Sequence, residues 1–140
     1  MSRSRRSAPA APTVGPPALA SSRLDVANRL RERIERGREI LGRQINTNND
    51  LEKAINDLAK WRDYNFDLLK NLFTNEIMYE EYRTSCFPSR AAHNEIEGFR
   101  IQLEAGSRQV SKLESIAERL ELFAEPDSTS PTISVTADAP

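Results

Sequence analysis

Ten apolar or small residues recur at alternating spacings of four and three: Ala92, Ile96, Phe99, Leu103, Gly106, Val110, Leu113, Ala117, Leu120 and Ala124. Side chains of a strand alternate between faces, so this period belongs to a helix. A repeat of 3.5 residues keeps the stripe facing a partner helix along its whole length. The pattern predicts one long helix from Ser89 or Arg90 to just before Pro126, with charged and polar residues on its other faces. Roughly 35 residues at 1.5 Å each would span about 50 Å. Its apolar face is narrow from Ala92 to Leu103 and widens from Leu113, where Ile116 and Phe123 join it.

Three further helices are predicted upstream. Ser21 and Ser22 are N-cap residues for a helix over 23–43, with the stripe Ala27, Leu30, Ile34, Gly37 and Leu41. Glu32 with Arg36, Glu39 with Arg43 and Arg31 with Glu35 stand at helical pairing distance. A polar turn over 46–50 ends in Asp50, a good cap, and a second helix follows over 51–73. It carries two overlapping stripes: Leu51, Ile55, Leu58, Asn65, Leu69, Leu72, and Ala54, Leu58, Trp61, Asn65, Leu68, Leu72. So broad an apolar face touches two neighbours, which makes this the central helix. A short helix over 76–85 packs through Ile77, Tyr79 and Tyr82 and stops at Phe87-Pro88, because the residue before proline is pushed out of the α region. Gly37 and Gly106 both sit on seams, either as close-approach positions or as tolerated kinks.

The expected architecture is an all-α antiparallel, coiled-coil-like helical bundle of three main helices and one short helix, over residues 23–124. The flanks are expected to be disordered. Residues 1–22 are rich in Pro, Ala and Arg, and residues 125–140 in Pro, Ser, Thr and Asp, without apolar periodicity to offset the entropy of ordering. About 100 residues form a modest core and leave little room for an enclosed active site.

Charge is asymmetric although the net charge is −1. Residues 1–43 carry ten arginines against Asp25, Glu32, Glu35 and Glu39, while the remainder is acidic. Opposite halves attract within a fold or an oligomer, and a basic front also suits nucleic acid. The single cysteine, Cys86, excludes an internal disulfide, and no run approaches the length of a membrane span. A secretory signal is not expected without an apolar segment, so the expected location is cytoplasmic.

Catalytic chemistry finds little footing. His93 is the one histidine, and HNEIE lacks the second histidine of a zinc helix, so no metal or cofactor is expected. Cys86 as a nucleophile would need a base and an oxyanion donor; with the one histidine seven residues away it reads as a structural thiol. The five glycines are scattered, without a phosphate loop. The chain is therefore expected not to be an enzyme. Two surfaces are candidates instead. Trp61 and Tyr64, in a segment mixing Trp, Tyr and Arg, suit a protein interaction hot spot, while Trp61 and Asn65 also read as packing, with Asn65 fixing helix register. Ile96, Phe99 and Leu103, on the narrow part of the long helix, would be left uncovered by shorter partners and favour a homodimer. The alternative is a nucleic-acid patch of Arg29, Arg33 and Arg36, which lie on one face but are interleaved with acids.

Four segments stand in order: Arg31-Glu32-Arg33-Ile34-Glu35-Arg36-Gly37, then Lys60-Trp61 through Tyr64-Asn65, then Leu69-Lys70-Asn71-Leu72-Phe73, and Leu113 through Leu122. Together, over residues 29–123, they resemble the helical N-terminal region of bacterial predicted nucleotide-binding proteins that carry a TIR-like domain. In that family the TIR-like domain is associated with NAD cleavage in anti-phage defence. Here the chain ends sixteen residues after Ala124, without that domain, so no catalytic residue carries over. The resemblance implies an accessory helical module that oligomerises or senses a partner protein.

Overall fold

The computed structural model describes residues 15–87 and 90–126. Its helices are α1 (Arg23–Leu41), α2 (Asn48–Leu72), α3 (Ile77–Ser85) and α4 (Glu95–Glu118), followed by a 3-10 turn over Leu120–Leu122. The expected all-α bundle of three principal helices and one short one is present. The pairs Arg33–Asn65 and Arg43–Asp57 set α1 antiparallel to α2. Arg38–Glu114 and the Arg23 bond to the Leu120 carbonyl set α1 antiparallel to α4. Consequently α2 and α4 run in the same direction, and α3 lies antiparallel to α4 through Glu81–Arg119 and Arg108–Phe87.

Local chemistry sets the helix boundaries. Ser22 caps α1 by accepting from the Asp25 amide. At α2 the cap is Thr47 rather than Asp50. Thr47 accepts from the Asp50 amide while the Asp50 carboxylate accepts from the Thr47 amide, a reciprocal box that starts the helix three residues earlier than expected. At α4 Asn94 caps by accepting from the Glu97 amide, while Glu97 accepts from the amide of His93, one residue before the cap. That cap starts the long helix only at Glu95. Its 24 residues span about 36 Å, close to the 25 residues of α2, so the expected helix of about 50 Å, longer than its partners, does not form.

The core gathers Val26, Leu30, Ile34 and Ile40 of α1, Ala54, Leu58, Trp61, Leu68, Leu69 and Leu72 of α2, Met78 and Tyr82 of α3, and Val110, Leu113 and Ile116 of α4. Both stripes read on α2 are buried throughout. Elsewhere the buried line differs in part. On α1 it centres on Val26 and Ile40, with Ala27 and Leu41 at its margin. On α4 the expected positions Gly106, Val110 and Leu113 are buried, as is Leu120 in the 3-10 turn, and Ile101, Ala105, Gln109 and Ile116 broaden that face, while Ala92 and Ala124 lie outside the helix. On α3 Met78 is buried in place of Ile77, which is exposed.

The seam glycines are close-approach positions. A Cβ on Gly37 would lie 2.5 Å from the Trp61 ring and 2.8 Å from Val110, and one on Gly106 would lie 2.9 Å from Leu58. Each lets α1 or α4 settle against large side chains of its neighbours.

Residue 22 is not the N-terminal edge of the folded unit. Leu19 is 1% exposed, its amide donates to the Ala124 carbonyl at 2.8 Å, and it bridges to Phe73. Ala20 donates to Leu72, and Thr74 donates to Ala18. At the other end, Glu125 accepts from the Arg23 amide. The folded unit therefore includes residues 15–22 and 125, held by main-chain hydrogen bonds and a single apolar anchor. The remaining expected tail residues, 1–14 and 127–140, lie outside the described residues. No helix among the described residues is long and apolar enough to cross a membrane.

Candidate functional site

Arg33, of the alternative arginine patch, meets the Trp61–Tyr64 segment of α2. Its Nε donates to Asn65 Oδ1 at 2.8 Å, and its guanidinium stacks over the Tyr64 ring at 4.3 Å from the centroid. Its carbonyl accepts from Trp61 Nε1 at 2.7 Å. Asn65, fully buried, then donates through Nδ2 to the Tyr82 hydroxyl at 2.9 Å. A polar chain thus crosses from α1 through α2 to α3, and every polar atom of the Asn65 side chain finds a partner in it. Asn65 fixes the register of three helices. Burial raises the Tyr82 hydroxyl pKa and lowers that of the Arg33 guanidinium, which stays charged. Among the described residues no carboxylate lies within ion-pair distance of Arg33.

Trp61 is 2% exposed, so it is a packing residue and cannot meet a partner directly. Tyr64, 55% exposed, can. The structure does not assemble Arg29, Arg33 and Arg36 into a free basic patch. Arg29 pairs with Asp25 at 3.6 Å, Arg36 pairs with Glu39, and Arg33 is turned into the polar chain. The expected Glu39–Arg43 pair forms at 2.9 Å, whereas Arg36 turns to Glu39 instead of Glu32.

Ile96, Phe99 and Leu103 are half-buried rather than uncovered, and Leu103 packs on the main core. The shorter α4 removes the reason for expecting them to be bare. His93 is an exposed residue just before the α4 cap. Cys86 caps α3 and is half-buried, and burial pushes its thiol up to about 11, which keeps it protonated and unreactive at neutral pH. Among the described residues no group of three or more His, Cys, Asp or Glu could hold a metal ion.

Two features were not read from the sequence. Leu24 and Leu122 are 71% and 73% exposed. They sit at the same end of the bundle, because Arg23 donates to the Leu120 and Phe123 carbonyls and so ties the start of α1 to the 3-10 turn. Their common end of the bundle depends on the meeting of α1 with the 3-10 turn, which are distant in sequence. Lys60 adjoins Arg33 and Arg36 across a shallow cleft of about 200 Å³, a proximity that depends on how α1 lies on α2. Compared with family models, curated proteins and solved structures, the chain matches none.

Proposed function

We propose that this chain is a non-catalytic helical module for protein–protein interaction that self-associates as a homodimer. In this reading it works in the cytoplasm as an accessory to a TIR-like effector of the kind its sequence resembles. The observation that carries the reading is the pair Leu24 and Leu122, each more than two-thirds exposed, on the two stretches that Arg23 joins. Single exposed leucines are ordinary on a monomer. Two at one end of the bundle are what a symmetric partner could cover with its own two. The nucleic-acid reading is less favoured, since Asp25 and Glu39 stand among the arginines of that face and pair with Arg29 and Arg36 at the surface.

Sedimentation of the full chain at about 50 µM, well above the affinity expected of a specific interface, tests this. The expected result is a dimer that becomes a monomer of unchanged helicity in the Leu24→Glu, Leu122→Glu variant. A monomeric parent chain overturns self-association. Dissociation by Phe99→Asp but not by the leucine pair would move the interface to α4. Consumption of NAD by the purified chain would overturn the non-catalytic assignment.

A further inference from the structure

The cleft beside Tyr64 is lined by Arg33, Arg36, Asp57, Lys60, Trp61 and Tyr64. Three of these are cationic. The one acid, Asp57, is committed elsewhere: it accepts from Arg43 Nη1 at 2.6 Å and from Lys53 at 3.3 Å, and Arg43 holds its carboxyl below the ordinary range. Arg36 has only an exposed pair with Glu39, and Lys60 has no ion-pair partner among the described residues. Arg33 is fixed in place by neutral acceptors, Asn65 Oδ1 and the Trp61 carbonyl. A guanidinium held this way keeps its full charge while losing part of its hydration, a cost that a counter-charge relieves.

We propose that this cleft receives a side-chain carboxylate from an acidic segment of a partner protein. The cleft is shallow, about 200 Å³, below the roughly 300–1,000 Å³ of pockets that enclose small molecules, and its cationic lining suits a single carboxylate. Arg33 is already ordered by Asn65 and Tyr64, so little conformational entropy remains to be lost when the carboxylate arrives. Tyr64 presents an exposed aromatic wall for the aliphatic part of the incoming chain, and Arg and Tyr are both enriched at interaction hot spots. The site is independent of self-association, since a monomer presents the same cleft.

Trp61, the chain's one tryptophan, lies in the wall and serves as an internal reporter. The full chain is titrated with a glutamate-rich peptide, its glutamine counterpart and a single-stranded oligonucleotide at physiological salt. Tryptophan emission is read in parallel with calorimetry, so a silent indole does not decide the result. The expected outcome is saturable binding of the glutamate peptide alone, weakened about five-fold by Lys60→Gln and again by Arg36→Gln. Both side chains project from the surface, and thermal melts check that these variants keep the fold. Absence of saturable binding overturns the proposal, as does equal binding of the glutamine peptide or indifference to Lys60→Gln. Tighter binding of the oligonucleotide would overturn it in favour of a nucleic-acid site.

Discussion

The Arg33 guanidinium lies 4.3 Å from the centroid of Tyr64 and is held there by Asn65, one residue further along α2. One arginine thereby joins an exposed aromatic to a buried amide. The surface it forms with Tyr64 depends on the interior that Asn65 organises. The same chain of contacts reaches α3 through Tyr82.

Tyr82→Phe removes only a hydroxyl and leaves Asn65 Nδ2 buried without its partner. The expected loss of stability is about 1–3 kcal/mol in urea denaturation. Asn65→Ala strands both Arg33 Nε and the Tyr82 hydroxyl and should cost more than Tyr82→Phe. The double variant should lose less than the two single losses together, because both variants remove the same bond. Strict additivity would show that the bond contributes nothing.

Gly37→Ala would ordinarily stabilise a helix by about 1 kcal/mol. Here the added methyl meets the Trp61 ring at 2.5 Å and Val110 at 2.8 Å. Overpacking of this kind costs about 1–3 kcal/mol and should outweigh the gain. A variant more stable than the parent chain in urea would mean that α1 can move away from α2 and α4 at little cost.

Leu19→Ala tests whether residues 15–22 belong to the fold. Loss of a buried leucine costs about 2–5 kcal/mol, and each kcal/mol moves the melting temperature of a domain this size by about 4–8 °C. A fall of ten degrees or more is expected in a thermal scan. A shift of a degree or two would show that the segment is held by its main chain alone.

Glu81 accepts from Arg119 at 2.7 and 3.2 Å, and this pair lowers the Glu81 pKa below its ordinary value. A carboxyl depressed by folding contributes stability above its unfolded pKa and loses that contribution as pH falls through the folded value. Glu81→Gln should therefore be less stable than the parent chain at about pH 7 and nearly equal to it at about pH 3. A stability difference that persists at the acid end would show that the loss comes from packing instead of charge.

Period, breaks and capping chemistry are local, so they could be read in one dimension. The two stripes of α2 are the clearest case: each of their residues is buried, because a helix enclosed on two sides buries a broad face whatever its exact rotation. The caps at Thr47 and Asn94 were equally local signals, Thr-x-x-Asp and Asn-x-x-Glu, and reading them would have corrected the starts of α2 and α4.

What only the tertiary structure decided follows from non-local geometry. On α4 the expected stripe is buried at Gly106, Val110 and Leu113, and the positions of α1 and α2 add Ile101, Ala105 and Gln109 to the buried face. Main-chain hydrogen bonds, which any residue can make, dock residues 15–22 with one apolar anchor, so no periodicity announces them. Arg33 shows the same division. Its place on a helix was fixed by spacing alone, but its partners stand 31 or more residues from it except for Trp61, 28 away, and were chosen by how α1 crosses α2. Local steric and hydrogen-bonding rules determined which segments of this chain are helical. The crossing of those helices determined which charges meet and which apolar side chains stay exposed.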